Sequence, residues 1–144
     1  MPQTKSRQMK KLYILRHAKA GQTNKNILDD HERPLTEKGI SQCKVMGEHL
    51  KTTGAKIDLV LSSTSQRTKE TTELTLDALD QEITVEYSSR LYLGSAGDIL
   101  NRLYEADDNT ESVMIVGHNP GLHQFAISLI KGGNEDYIRD LSSN

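Results

Sequence analysis

The sequence predicts an α/β fold, a three-layer αβα sandwich in which a mostly parallel central sheet has helices on both faces. Two observations predict it. Short apolar runs rich in valine, isoleucine and leucine alternate with longer amphipathic segments along the 144-residue chain. Most of these runs also lack the strict alternation of strands with one wet face, as is typical of parallel strands buried on both sides. Strands and helices in that order form a parallel sheet covered by helices.

Four segments are predicted strands. Three are mainly apolar runs without strict alternation, at 12–15, 57–61 and 113–116, and the fourth, 83–87, alternates and favours a strand with one wetter face. After the last predicted helix the chain reaches 140–144 without another apolar run. Either the sequence is truncated or the sheet lacks a C-terminal edge strand.

Four helices are predicted between and after these strands. The first follows Thr36, a good N-cap, and continues at helical spacing to Leu50, with Gly54 suited to its C-terminal end. The second covers about 65–79 and the third about 96–106. The fourth begins near Pro120, because proline is tolerated in a first helical turn. Its apolar face consists of Leu122, Phe125, Ala126 and Leu129.

Length and composition predict a single domain over residues 11–144, preceded by a flexible polar tail at 1–10. The single cysteine, Cys43, excludes an intrachain disulfide and fits a reducing compartment. No signal peptide or membrane span is apparent, so the expected location is cytoplasmic. The net charge of −2 offers no general attraction for nucleic acid or a membrane, so neither is an expected partner.

Three predicted strands end in groups that are cationic or can become so. The first ends in Arg16 and His17, the second is followed by Arg67 in the first helical turn, and the third ends next to His118. Because parallel strands place their carboxyl ends at one edge, these side chains should converge. Two arginines and two histidines without a carboxylate would repel each other unless an anion normally binds there. A phosphate dianion fits best, because its oxygens match the guanidinium fork.

Histidine is a competent nucleophile for phosphoryl transfer when its ring is neutral. Its reference pKa is near ~6.5, and neighbouring arginines favour the neutral form. We expect His17, held at the end of a strand, to attack, and His118 to donate to a phosphoryl oxygen. No spacing of Cys, His or Asp indicates a metal site, so neither a metal nor a cofactor is expected.

These residues lie in motifs that resemble those of the histidine phosphatase superfamily, which includes the phosphoglycerate mutases. Residues 15–18, LRHA, resemble its RHG signature, 62–71 resemble its SSxxxRxxxT segment, and 116–120 resemble its second histidine motif. The short chain and the stretch 33–39, RPLTEKG, look most like SixA-type phosphohistidine phosphatases. The resemblance covers 11–131, with three motifs in the right order at predicted strand ends.

The resemblance implies a role for each matching residue. His17 would carry the phosphoryl group covalently, while Arg16, Arg67 and His118 would bind it. Arg33 would line the pocket, or it would instead pair with one of the acidic residues at 29, 30 and 32. Phosphate or sulfate would be able to occupy such a site.

One departure from the family bears on the substrate. Many relatives supply a glutamate as general acid, but residues 90–98 contain none, which leaves Asp98, Tyr92 or water as the proton donor. An alkoxide leaving group needs such a proton, and general acid help is worth ~10²–10⁴-fold. The P–N bond to an imidazole is more labile. The sequence therefore favours a metal-independent phosphatase that acts on phosphohistidine of a protein.

Two other functions stay open. One is a phosphatase of the same family that acts on a small phosphate ester, and the other is a non-catalytic module that binds phosphate or a phosphoprotein. The short chain has little room for insertions that would enclose a small substrate, which favours a protein partner. A mutase is not expected, because its bisphosphate substrate would need a larger basic surround than the sequence indicates.

Overall fold

The computed structural model describes residues 11–21, 29–131 and 138–140. Its strands are β1 Lys11–Arg16, β2 Leu59–Ser63, β3 Thr84–Ser88, β4 Ser112–Gly117 and β5 Ile138–Asp140. They form one sheet in the order β3-β2-β4-β1-β5, and every neighbouring pair is parallel. The predicted α/β class with a parallel central sheet is confirmed.

The helices are α1 Glu37–Thr52, α2 Gln66–Leu79, α3 Ala96–Tyr104 and α4 Gly121–Lys131, with short 3₁₀ turns at Asp30–Glu32 and Ser89–Leu91. Thr36 caps α1 as predicted, since its hydroxyl accepts the N–H of Gly39 at 3.0 Å. Gly54 follows the end of α1 with φ of 75°, a left-handed conformation that glycine adopts without a steric penalty.

Alternate residues of the central strands face two separate cores, because successive side chains of a strand point to opposite faces. The core under α3 and α4 includes Leu12, Ile14, Leu61, Ile115 and Phe125. The core under α1 and α2 includes Tyr13, Leu15, Val60, Val116 and Leu79. Helices thus cover both faces of the sheet, which confirms the three layers.

The structure contradicts one of the two alternatives that the sequence left open, a sheet without a C-terminal edge strand. β5 pairs in parallel with β1, from Leu12 opposite Ile138 to Ile14 opposite Asp140. The ladder bonds backbone groups, so a three-residue strand can pair without an apolar run in its sequence. The second strand also begins two residues later than predicted, and Ile57 instead packs into the core under α1 and α2.

The predicted tail, residues 1–10, lies outside the described residues. Within the part of the chain that the structure describes, no helix has the length and apolar character needed to cross a membrane.

The two helices on one face approach most closely at Gly47. A Cβ at this position would collide with the carbonyl oxygen of Thr75 and the Cβ of Ala78, and would lie 3.1 Å from the backbone nitrogen of Leu79. Glycine therefore permits the contact that seats α2 against α1. By contrast, a Cβ at Gly97, in the first turn of α3, would have only the Ser95 hydroxyl nearby, at 3.7 Å.

We expect Gly47→Ala to lower the free energy of unfolding by about 1–3 kcal/mol, because the added methyl overpacks the helix contact. The control Gly97→Ala should be neutral or stabilising by up to about 1 kcal/mol, since alanine favours a helix where there is room. Urea unfolding of both variants measures the difference. Equal effects would contradict the close approach at Gly47.

Candidate active site

A cavity of about 600 Å³ opens at the carboxyl edge of the sheet. The strand register places the ends of three strands side by side, with Leu15 opposite Val116 and Val116 opposite Ser62. The structure brings together on this cavity five of the residues predicted from the sequence. They are Arg16, His17, Arg33, Arg67 and His118.

The ring of His17 is held with its Nδ1 atom 2.7 Å from the carbonyl oxygen of Ala18. A carbonyl only accepts, so Nδ1 carries the hydrogen and Nε2 keeps a lone pair. Burial lowers the pKa of His17 from its ordinary 6.5 to about 4. The hydrogen bond to Ala18 raises this pKa, whereas the charges of Arg67 and Arg16 lower it further. A neutral ring with a free Nε2 is the form that attacks phosphorus.

Three hydrogen bonds fix the backbone around this ring. The N–H of His17 donates to the carbonyl of Gly117 at 3.1 Å, and the N–H of Ala18 donates to the Thr71 hydroxyl at 3.0 Å. That hydroxyl in turn donates to the carbonyl of Arg67 at 2.7 Å. Thr71, the last residue of the SSxxxRxxxT-like segment, therefore ties the His17 loop to the helix that carries Arg67.

His118 is buried, and its ring centroid lies 5.3 Å from that of His17. Its Nε2 is 2.9 Å from the Ser63 hydroxyl and its Nδ1 is 3.4 Å from Nη2 of Arg67. Because a guanidinium only donates, Nδ1 accepts and the Nε2–H donates to Ser63. Burial, followed by the charge of Arg67, lowers the pKa of His118 to about 3. Donation from His118 to a phosphoryl oxygen therefore requires that one of these contacts be exchanged.

The carboxylate of Asp30 joins Arg67 and Arg33. The sequence did not single out Asp30 as a site residue. Its carboxylate accepts from Nη2 of Arg67 at 2.9 Å, from Nε of Arg33 at 3.1 Å and from the Tyr92 hydroxyl at 2.5 Å. Its carbonyl oxygen also accepts from Nη1 of Arg67 at 2.6 Å. The Tyr92 bond, together with the two guanidinium groups, holds the pKa of Asp30 well below its usual range. Its spacing of three residues from Arg33 is the only sequence signal for this role.

Arg67 keeps one donor without a partner. Its side chain is 2% exposed, and within the described part of the chain its Nε has no hydrogen-bond partner. A buried donor left unpaired costs about 1–3 kcal/mol. An anion bound in the cavity would relieve that cost.

Arg33 lies on the cavity and also pairs with an acidic neighbour, the two arrangements that the sequence left open. Its guanidinium lines the cavity and forms an ion pair with Asp30 at 3.0 Å, while Nη1 donates to the carbonyl of Gly21 at 2.7 Å. Lys19 and Lys38 line the same cavity. Neither lysine pairs with a carboxylate of the described residues. The basic surround is therefore larger than the sequence indicated.

Asp98 lies away from the cavity lining. Its carboxylate accepts from the backbone N–H of Ser95 at 2.9 Å and from the Ser95 hydroxyl at 3.1 Å, forming a capping box on α3. These bonds, the backbone one above all, lower its pKa. The position of Asp98 gives no support to its predicted role as proton donor, and fits the start of a helix instead. Tyr92 does lie at the site, edge-on to the ring of His118 with centroids 5.5 Å apart.

Leu93 stands at the rim of the cavity in an unusual backbone conformation. Its φ is 55°, and its side chain lines the cavity while remaining 57% exposed. A non-glycine residue in the left-handed region costs on the order of 1–3 kcal/mol. The surrounding structure maintains this conformation, because a Cβ at the next residue, Gly94, would collide with the carbonyl of Arg90.

Within the described residues, no group of three His, Cys, Asp or Glu side chains is arranged to hold a metal ion. The arrangement supplies a neutral histidine with an unprotonated Nε2 and a buried guanidinium whose Nε has no acceptor among the described residues. It is suited to bind a phosphoryl group and to transfer it to nitrogen.

Comparison with known proteins agrees with this chemistry. Residues 12–110 match the sequence profile of the histidine phosphatase superfamily (branch 1). The uncharacterized protein MT1313 of Mycobacterium tuberculosis is 32% identical over 116 residues, which cover 80% of this chain and 69% of that protein.

Two solved structures share the fold. One is a protein of Agrobacterium tumefaciens provisionally assigned as the phosphohistidine phosphatase SixA, with a TM-score of 0.76 and 30% identity over 89% of this chain and 79% of that one. The other is the protein histidine phosphatase SixA complexed with tungstate, with a TM-score of 0.74 and 27% identity over 82% and 75%. On these grounds the chain belongs to the histidine phosphatase superfamily.

Proposed function

We propose that this chain is a metal-independent phosphatase that takes a phosphoryl group onto Nε2 of His17, and that its substrate is phosphohistidine of another protein. One observation carries the proposal: a neutral His17 with an unprotonated Nε2 lies on the same cavity as Arg67, whose buried Nε lacks an acceptor. The first group attacks phosphorus, and the second binds a phosphoryl oxygen.

The reaction has two balanced steps. In the first, the lone pair on Nε2 of His17 forms a bond to phosphorus while the P–N bond of the substrate breaks, and the leaving imidazole takes a proton from solvent water. In the second, a water molecule attacks the phosphoryl group on His17, the bond from phosphorus to Nε2 breaks, and inorganic phosphate leaves the regenerated His17. The proton that this water loses neutralises the hydroxide left by the first step. Arg16 and Arg67 offset the phosphoryl charge in both steps.

The carboxylates support phosphohistidine as the substrate. Asp30 is the one carboxylate among the described residues that line the cavity, and its depressed pKa keeps it ionised. An ionised carboxylate cannot give a proton to a departing alkoxide. Imidazole leaves more readily than an alkoxide. Without a protonated acid in the described lining, hydrolysis of phosphohistidine is therefore slowed less than hydrolysis of an alkyl phosphate.

A small-molecule ester is the alternative within the same chemistry. The lysines at the mouth, Lys19 and Lys38, favour it only if the ester carries a second anionic group. A non-catalytic phosphate-binding module would need the arginines but not a neutral, oriented His17, so the tautomer at Nδ1 favours the enzyme.

Incubation with ³²P-labelled phosphohistidine protein should leave acid-labile label on the chain in rapid-quench samples. His17→Ala should retain none, because the other histidine of the described cavity lining, His118, has its unprotonated Nδ1 hydrogen-bonded to Arg67 and its Nε2–H to Ser63. His123→Ala is the matched control, since His123 is exposed and does not line the cavity. Label that persists in His17→Ala would contradict the nucleophile, and binding without any label would favour the non-catalytic module.

Phosphohistidine should be hydrolysed with a kcat/KM at least ~10²-fold above that of a simple alkyl phosphate such as glycerol phosphate. That factor is the general-acid contribution that the ester would need. Release of inorganic phosphate under matched conditions measures both substrates. Equal or faster turnover of the ester would contradict a phosphohistidine substrate.

Both site histidines should stay neutral well below pH 6.5, since burial lowers the pKa of His17 to about 4 and that of His118 to about 3. Unfolded histidines bind protons near pH ~6.5. The unfolded state therefore takes up more protons as the pH falls from about 6.5 towards 3–4, and stability is lost across that window. An NMR titration of the ring nitrogens, with His17→Ala and His118→Ala for assignment, tests this. Titration of either ring near pH 6.5 would contradict it.

A further inference from the structure

The rim residue Leu93 has no role in the phosphoryl chemistry. Its apolar side chain lines the cavity and is 57% exposed. Its φ of 55° belongs to a region that glycine and asparagine populate far more readily than leucine. A leucine that is both strained and exposed at a functional cavity points to a contact made with something outside the chain.

The residues on either side of Leu93 hold the backbone of this turn. On one side, Tyr92 donates its hydroxyl to Asp30 at 2.5 Å and its N–H to the carbonyl of Ser89 at 3.1 Å. On the other side, Gly94 packs so tightly that a Cβ on either Gly94 or Gly121 would strike a backbone carbonyl. The backbone of Leu93 is therefore ordered before any partner arrives, so binding to this residue needs little further ordering of the chain.

The charge of the cavity indicates what kind of surface would meet Leu93. Five cationic residues and one carboxylate are among the described residues that line it, although the whole chain carries a net charge of −2. Arg16, Arg33 and Arg67 surround His17 closely enough to affect its pKa. Lys19 and Lys38 lie outside that group, are exposed, and form no ion pair with a described carboxylate.

The backbone of Lys19 is held by the start of α1. Its N–H donates to the Gln42 side chain at 3.0 Å, and its carbonyl accepts the Thr36 N–H at 2.9 Å. A Cβ at Gly39 would collide with that same carbonyl. This basic part of the rim is thus built as firmly as the part that carries Leu93.

We propose that Leu93, Lys19 and Lys38 form a docking rim for the protein surface around the substrate phosphohistidine, and that this surface is acidic with an apolar residue beside the phosphohistidine. The proposal rests on the proposed function and names its substrate class more closely. The lysines complement acidic side chains and favour encounter, whereas Leu93 buries apolar area.

Four synthetic probes test the rim. The first is a phosphohistidine peptide flanked by glutamate and leucine. The second carries glutamine for glutamate, the third carries serine for leucine, and the fourth is free phosphohistidine. The wild-type protein should hydrolyse the first peptide with a kcat/KM about five- to tenfold above the second and third, mainly through KM. Added salt should reduce the preference for glutamate but not the preference for leucine.

Variants assign each preference to its residues. The double variant Lys19→Gln, Lys38→Gln should lose the preference for glutamate, and Leu93→Asn should lose the preference for leucine. Each variant's kcat/KM on the peptides is divided by its own kcat/KM on free phosphohistidine, so that any effect on binding of the phosphoryl group itself cancels from the measured preference. Lys44→Gln and Val45→Asn are matched controls, because both residues are exposed on α1 and neither lines the cavity.

Leu93→Asn also separates a docking role from a structural one. Asparagine tolerates the left-handed conformation, so the Tm should be unchanged or raised by about 2–5 °C while peptide turnover falls. A lowered Tm together with an equal loss on free phosphohistidine would assign Leu93 a structural role and overturn the proposal.

Equal kcat/KM on all three peptides, with free phosphohistidine still hydrolysed, would overturn the docking rim and leave the phosphatase standing. A protein that hydrolyses none of the four probes and carries no label on His17 would overturn both.

Discussion

The site depends on how the protein stabilises one buried positive charge. The guanidinium of Arg67 is almost fully buried, and a buried charge is tolerated only when it is paired and hydrogen-bonded. Asp30 meets that demand twice, with its carboxylate and with its own carbonyl oxygen. The same carboxylate then orients Arg33 and accepts from Tyr92, so that one acidic side chain positions three others. The proposed phosphoryl-binding group of arginines is therefore assembled around Asp30 without a bound phosphate.

Burial in the cavity favours neutral histidines beside charged arginines. The guanidinium groups supply positive charge and only donate hydrogen bonds, whereas burial beside them lowers the pKa of both histidine rings and favours their neutral form. Positive charge is thus carried by groups that cannot attack phosphorus, and the lone pair is kept on the group that can. Because the donors are already oriented, little reorganisation is needed when negative charge arrives.

The sequence predicted what depends on local pattern and topology. Arg16, His17, Arg67 and His118 were predicted to converge because each lies at or near the end of a mainly apolar run, and parallel strands end at one edge. The role of Asp30 was not predicted, since its partners Arg67 and Tyr92 lie 37 and 62 residues away in the chain and no local spacing indicates those contacts. Asp98 is one of three proton donors that the sequence leaves open; its spacing from Ser95 suits a capping box, which the structure uses, and Asp98 is absent from the described cavity lining. The strand β5 was not predicted, because its three residues pair with β1 through backbone hydrogen bonds, which require no apolar pattern in the sequence.

The strand order has a consequence for how the protein acquires its shape. β1 carries His17 at its end, yet its neighbours in the sheet are β4 and β5, and Leu12 pairs with a residue about one hundred positions later in the chain. Contacts this distant in sequence slow folding, because a long loop must close before they form. During synthesis β1 cannot pair with a neighbouring strand of the sheet until β4 has been synthesised. Until β4 pairs with β1, the contacts of His17 with the carbonyl of Gly117 and the ring of His118 are missing, so the geometry proposed for attack forms late in folding.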